Sequence, residues 1–367
     1  MASLLFPQPG PEQNLVGIAR LAAEGQALAE GHNVEFFTIE NRSILTRCMS
    51  PRMPFTWMIN PYRGCEFACK YCYARYTHEF MELRDGAEFE RKIYVKQHAG
   101  WLLRQELKQV KPNEQIAIGT ATDPYQPAER RFEITRSLLE EFSRHSGLKI
   151  GMVTKSDLVL RDLQLLKTIA AANELAVCLT VTTVNTELAR ALEPRAPRPD
   201  LRLKAVRTLV EAGIHAGVNC APVLPGITDS PGDLEKLVEA AAQAEAAFVW
   251  SNPLFLKPCA QSVFMPFLEE KFPRLVPLYR ERYGKQAYLP AEYQKRIAAL
   301  VRKYCEKHGI RRRRWSTAPE RTVKELPGIE RQMDLFRTLE SAEQSPPRRG
   351  AVGEKEANIK TKARVAP

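Results

Sequence analysis

From Thr56 onward, short apolar runs alternate with amphipathic stretches of helical period. The runs span Thr56–Asn60, Ile116–Thr120, Lys149–Thr154, Ala176–Val184, His215–Ala221 and Phe248–Asn252. Each ends in polar, Gly or Pro residues and reads as a strand. Among them lie His98–Val110, Arg131–Arg144, Leu158–Ala172, Thr186–Leu192, Asp200–Glu211 and Pro231–Gln243, whose apolar residues recur at helical spacing. Six β/α alternations with one-sided helices predict an α/β fold, a parallel sheet with helices outside. The sheet is either open and doubly wound or curved into a partial barrel. No Gly-x-Gly-x-x-Gly follows the first strand, which argues against a dinucleotide fold.

Around this body, at 56–258, the pattern changes. Residues 1–55 read as a lead-in, with a helical stretch over Leu15–Glu30, a strand at Val34–Ile39 and extended chain from Asn41 to Pro54. Residues 259–340 read as a helical and basic extension: Gln261–Glu281 and Ala291–Lys307 as helices, Arg311–Pro327 as a basic loop, Ile329–Leu339 as a last helix. Residues 341–367 are rich in Pro, Lys and Glu with almost no large apolar side chain, which predicts a disordered basic tail.

Composition narrows the setting. An apolar fraction of 44% over 367 residues allows a full core. No apolar run approaches the roughly 18 residues needed to span a bilayer, and the first residues lack the pattern of a signal peptide. Eight cysteines at this length are too sparse for a disulfide scaffold. A cytoplasmic location with no membrane partner is therefore expected. The net charge of +11 is confined. Residues 301–324 hold nine Lys/Arg against two Glu, and residues 345–367 hold six against two, so the rest of the chain is neutral. Any attraction for nucleic-acid phosphates would come from the C-terminal region, Arg311–Arg314 above all; the competing reading is a solvated basic segment with no partner.

In a parallel β/α fold the loops after the strands open on one face, where chemistry collects. The first such loop reads Cys65-Glu-Phe-Ala-Cys69-Lys-Tyr71-Cys72. Three thiolates this close cannot all pair as disulfides and suit a metal centre better. An iron–sulfur cube normally takes four cysteines, so three leave one iron free for a substrate or cofactor. A structural zinc site with His78 as fourth ligand is the alternative, at a spacing unlike the usual ligand pairs. The next strand ends present Thr122 and Asp123, then Lys155, then Thr182 followed by Glu193 and Arg195, then Cys220. A ligand carrying an amine, a carboxylate and a ribose could be met there by Asp123, Lys155 and Glu193.

Cys65, Cys69, Tyr71 and Cys72 match the Cys-x3-Cys-x2-Cys signature, with an aromatic residue before the last cysteine, and so the chain resembles the radical S-adenosylmethionine (SAM) superfamily over roughly residues 56–255. More narrowly, Asn60–Cys65, Cys72–Arg75, Thr122–Pro127, Thr154–Ser156 and Leu192–Arg195 resemble the spore photoproduct lyase-like branch, closest to its uncharacterised bacterial members. The resemblance implies a partial (β/α)6 TIM-like barrel, here with a C-terminal helical extension. It implies a [4Fe-4S] cluster on Cys65, Cys69 and Cys72, with SAM on the fourth iron. Reductive cleavage of SAM would give a 5′-deoxyadenosyl radical that abstracts hydrogen from a substrate. Tyr71 would lie near the adenine, Thr122-Asp123 near the methionine amine, Lys155 with Thr182 near the carboxylate, and Glu193 or Arg195 near the ribose or carboxylate. Thr122-Asp123 departs from the Gly-Gly-Glu common at that place. An electron donor such as flavodoxin or ferredoxin is implied as a partner.

Three substrate readings stay open: a lyase-like enzyme acting on nucleic acid, one acting on a peptide or small metabolite, and a non-catalytic iron–sulfur protein for electron transfer or sensing. Cys220, or Cys259, could supply a hydrogen atom, although a free cysteine is most often a small buried hydrophobe, the reading given to Cys48, Cys178 and Cys305.

Overall fold

The computed structural model describes residues 15–310 apart from 32, 51, 52 and 84. The expected basic loop, last helix and tail beyond residue 310 lie outside the described residues. Eleven strands occur among the described residues: β1 (Ala27–Gly31), β2 (Val34–Ile39), β3 (Leu45–Arg47), β4 (Trp57–Ile59), β5 (Tyr62–Arg63), β6 (Lys92–Lys96), β7 (Gln115–Ile118), β8 (Lys149–Thr154), β9 (Glu174–Thr180), β10 (His215–Val223) and β11 (Val249–Pro253).

The main sheet runs β11-β10-β9-β8-β7-β4-β3. Its six strands from β4 to β11 are parallel neighbours in chain order, the arrangement of a partial (β/α)6 barrel, and β3 adds antiparallel to β4 at one edge. Alternation along the strands sets the two faces. Ile150 and Met152 of β8, Val177 and Leu179 of β9 and Val218 of β10 pack in one core with Leu138 and Phe142, Leu166 and Ile169, and Val206 and Leu209 of the covering helices. Each such side chain contributes about 1.5–3 kcal/mol on burial. The opposite face carries a smaller cluster, Ala176, Cys178 and Phe248 against Val153. The barrel interior is therefore sparsely filled by apolar groups, which leaves room for polar ones at the strand ends.

Helices Thr186–Leu192, Pro231–Gln243 and Ala291–Lys307 occupy the residues that the periodicity predicts. Two have side-chain caps at their starts: Asn185 accepts from the Leu188 N–H, and Ser230 accepts from the Asp233 N–H ahead of a proline at the first position. Other predicted helices are subdivided. Arg131–Arg144 becomes Glu129–Phe132 and Ile134–Phe142, broken at Glu133, whose φ is +49°. Gln261–Glu281 becomes Pro258–Lys271 and Val276–Tyr283, with Pro273 at the break.

The lead-in differs from the sequence reading. The helix covers only Gly17–Ala23, and Ala27–Gly31, read there as helix, is β1. It belongs to a second sheet, β1-β2-β6-β5, in which β2 and β6 are parallel and the two outer pairs antiparallel. β5 runs directly into the first cysteine, so the cysteine loop is seated between two sheets. No helix among the described residues is long and apolar enough to cross a membrane.

Candidate active site

The cysteine loop is held by backbone contacts on both sides. Gly64 has φ +83°, and a Cβ there would stand 2.6 Å from the Lys92 carbonyl oxygen and 2.8 Å from that of Phe89. Only glycine fits this close approach. The Cys65 N–H donates to the Phe89 carbonyl at 2.9 Å. Thr122 Oγ1 and Gln126 Nε2 both donate to the Gly64 carbonyl, at 2.6 and 3.1 Å, and Gln126 Oε1 accepts from the Glu66 N–H at 3.0 Å. On the far side the Lys70 N–H donates to the Leu192 carbonyl at 2.9 Å. Buried Arg75 donates to the Cys69 carbonyl at 3.1 Å while paired with Glu90 at 2.6 Å.

Cys65 and Cys69 are buried and Cys72 is partly exposed. Burial raises the Cys65 thiol far above its ordinary value, and the nearby charges of Asp123, Cys69 and Cys72 add to this. Burial pushes Cys69 up to about 12, with Lys155 opposing and Glu193 and Cys72 reinforcing. The three thiols therefore stand within electrostatic reach of one another, two of them buried. Such groups ionise when a metal takes them. Among the described residues no three Cys, His, Asp or Glu side chains converge on one ion-sized point. A cube gives each thiolate its own iron and asks for a wider spread than a single zinc. The donor set, three soft thiols on one short loop, fits the cluster. His78 does not turn to the loop: its Nε2 faces the Lys92 carbonyl at 3.1 Å, and its ring sits edge-on to Phe89 and Tyr94.

Behind the loop stands a buried polar wall. Tyr71 Oη donates to Glu193 and meets Thr182 Oγ1 at 3.0 Å, and Thr182 donates to Glu193 at 2.8 Å. Arg202 closes the network with an ion pair to Glu193 at 2.5 Å, both side chains 1% exposed. The guanidinium also donates to the carbonyls of Pro197 and Thr180 at 2.7 and 3.0 Å. Burial pushes Glu193 up, yet Arg202 and Lys155 together hold it below the usual carboxylate range. Lys155 Nζ lies 5.7 Å from the centre of the Tyr71 ring. Burial opposes its charge, but Cys69, Glu193 and Asp123 raise it above the ordinary lysine value, so it stays an ammonium.

Asp123 is tied to the chain itself. It accepts from Thr154 Oγ1 at 2.6 Å and from the N–H groups of Lys155 and Tyr125 at 2.7 and 2.9 Å. A carboxylate offers about four lone-pair directions, so about one is left for a ligand. Asp123 thus fastens the β7 and β8 ends together, and Thr122 fastens the cysteine loop. The structure brings Tyr71, Lys155, Thr182 and Glu193 together with the cysteines. Arg195 meets the cysteine loop through its backbone, its N–H donating to the Phe67 carbonyl at 3.4 Å, while its exposed side chain lies near Glu66; Cys220 is not brought to the loop. Cys220 lies on the helix-facing side of β10, in the outer core with Cys305 near it, because Ala216, Val218 and Cys220 alternate onto one face. That side is remote from the cysteine loop, so its expected role as hydrogen donor lacks support. Cys259 is half-buried near Tyr76 and Lys257. Arg202 escaped sequence reading. Its signal was there: Arg202, Ala205, Val206 and Leu209 form one buried stripe, with a cation at the first position of an apolar face.

The family model of the radical SAM superfamily matches residues 59–241. An uncharacterised protein of Mycobacterium tuberculosis is 36% identical over 257 residues, which cover 69% of this chain and 75% of that one. An uncharacterised protein of Methanocaldococcus jannaschii is 29% identical over 233 residues, 64% of this chain and 83% of that one. Among solved structures, spore photoproduct lyase complexed with dinucleoside spore photoproduct has TM-score 0.59 and 16% identity, with 82% of this chain and 85% of that chain covered. A mutant of that lyase with bound AdoMet has TM-score 0.57 and 16% identity, with 74% and 79% covered. The chain belongs to the radical SAM superfamily. With that membership come its two cofactors, a [4Fe-4S] cluster and SAM.

Proposed function

We propose that this radical SAM enzyme carries its cluster on Cys65, Cys69 and Cys72, seats SAM against Tyr71 and Lys155, and uses it for hydrogen abstraction in a lyase-like reaction. The carrying observation is the wall behind the loop, where a charged lysine stands over a tyrosine pinned by Glu193, Thr182 and Arg202. When bound, the cluster and SAM supply one-electron cleavage of a carbon–sulfur bond and hence a carbon radical. The chain's own residues do the rest. Lys155 offers a carboxylate an ammonium that makes no hydrogen bond or ion pair among the described residues. Tyr71 offers a ring face, held in one orientation because its hydroxyl is fixed. Glu193 is engaged on both oxygens and serves to position Tyr71. Thr122 and Gln126 keep the loop in register, and burial keeps water from the Cys65 and Cys69 thiols.

The solved neighbours support this reading, since spore photoproduct lyase binds AdoMet in one of them. A cytoplasmic flavodoxin or ferredoxin is the proposed electron donor, and the basic stretch beyond residue 300 is a proposed nucleic-acid contact. The test is anaerobic reconstitution of the full chain with iron and sulfide, then SAM and dithionite. 5′-Deoxyadenosine and methionine are expected in equal amounts, and neither from Cys69→Ala. A fully loaded chain that forms neither product under any reductant ends the enzyme reading.

A further inference from the structure

Beside Cys72 the fold gathers aromatic rings and cations from four separate stretches of chain. Tyr73 follows the last cysteine, and its ring lies 6.4 Å from that of Tyr76 and 5.9 Å from that of Phe255. Phe255 stacks on Tyr288 with centroids 4.3 Å apart and planes 25° apart. Phe80, 60% exposed, meets Tyr76 edge-on at 5.8 Å. Tyr73 and Tyr288 are also exposed. Three cations stand among these rings. Lys257 Nζ lies 4.1 Å from the Tyr76 ring centre. Arg63, within electrostatic reach of Tyr76, has a buried Nε with no hydrogen-bond partner, and no carboxylate pairs with its guanidinium among the described residues. Lys96 is 7% exposed and shares the face of the β5–β6 pair that carries Arg63. Its ammonium has no ion-pair partner among the described residues.

We propose that this cleft is the substrate-anchoring site of the enzyme and takes a single-stranded nucleic acid, with unpaired bases on the rings and phosphates on Arg63, Lys96 and Lys257. The proposal rests on the reading of the chain as a radical SAM enzyme. Offset rings that are open on one side accept any base by its face, and cations between them track a phosphodiester chain. The charge balance favours an anion. Glu106, the acid facing Lys96, is already taken by the N–H groups of Ile44 and Leu45 at 3.0 and 2.7 Å. Glu79 borders the site beside Cys259, near Tyr76 and Lys257, and offsets one of the three cations, leaving the cluster positive. Burial beside Arg63 pulls the Lys96 ammonium down to about 7, a strain that a bound phosphate would relieve. The location suits the chemistry, because the platform starts at the residue after Cys72.

The test is fluorescence anisotropy with a labelled ten-nucleotide single-stranded DNA on the full chain, against a salt series. Phe80→Ala weakens binding at least about five-fold, as loss of a stacking face does. Lys257→Gln lowers the salt slope by about one phosphate's share. Lys96→Met removes a buried charge, so it raises the thermal midpoint and still weakens binding; a lysine with a purely structural role would not weaken it. Trp101→Ala, an exposed aromatic elsewhere, leaves binding unchanged. Equal affinity of all variants and wild type overturns the cleft, and so does duplex DNA or an acidic peptide bound as tightly as the single strand. SAM cleavage by the wild-type chain is scored separately. Strand binding without cleavage sinks the enzyme reading and leaves the cleft. Cleavage with binding untouched by the variants sinks the cleft and leaves the enzyme.

Discussion

Replacing Arg202 with methionine probes the pair that holds Tyr71 in place. Arg202 and Glu193 are both 1% exposed and 2.5 Å apart. Removing one partner of such a pair leaves an uncompensated buried charge and costs about 3–5 kcal/mol. The same guanidinium satisfies the carbonyls of Pro197 and Thr180, and losing those bonds adds about 1 kcal/mol. Methionine restores most of the packing of the arginine stem. The expected net loss is about 4–6 kcal/mol, or a fall in thermal midpoint of about 10 °C or more at roughly 2–4 °C per kcal/mol. The assay is circular dichroism of the metal-free chain under reducing conditions, with equilibrium dialysis of SAM on the reconstituted chain as a second readout. The double variant Arg202→Met/Glu193→Gln removes both charges, so it should recover at least about 2 kcal/mol against the sum of the singles. A single-variant loss below about 1 kcal/mol, or strict additivity in the double variant, would show that the pair does not carry the wall.

Much of this wall was legible in the sequence, and the reasons for the rest are local. The six strand–helix units follow from period-two and helical apolar patterns that agree with their tertiary partners, as in Lys149–Thr154 and Pro231–Gln243. Ala27–Gly31 carries helix-forming Ala, Leu and Glu, and only its pairing with β2 makes it a strand. β5 and β6 are two and five residues long, too short to show a period of their own, so the sheet that seats the cysteine loop gave no periodic trace. For the site, the cysteines, Tyr71, Lys155, Thr182 and Glu193 were readable because strand ends of a parallel sheet share a face. Asp123 and Thr122 were read as ligand contacts because only polarity, and no partner, shows in a sequence. Cys220 was read as a strand-end residue, although its alternation with Val218 already pointed it outward. The aromatic and cationic cleft joins residues 63–80, 96, 255–257 and 288, a spacing that no local motif discloses.

Further outcomes are expected. Gly64→Ala puts a methyl against two carbonyl oxygens at a φ of +83°, so it should cost about 1–3 kcal/mol and lower bound iron per chain; unchanged iron content refutes the close approach. His78 is held neutral, because burial lowers it from 6.5 to about 4. Its folded value is the depressed one, so the protein should lose up to about 3 kcal/mol as pH falls from 6.5 to 4. His78→Gln should flatten that part of the urea-midpoint profile, and an unaltered slope contradicts the burial. Cys220→Ala should leave 5′-deoxyadenosine formation and product yield as they were, since the thiol packs near Cys305; a loss of product places it back in the site.

The central claim is that the three-thiol loop holds a cube that SAM completes, and electron paramagnetic resonance tests it most directly. The iron- and sulfide-reconstituted chain, reduced with dithionite, should give a [4Fe-4S]⁺ spectrum whose g-values shift when SAM is added, with Cys69→Ala giving no such signal. A cluster spectrum indifferent to SAM, or the same spectrum from Cys69→Ala, contradicts it.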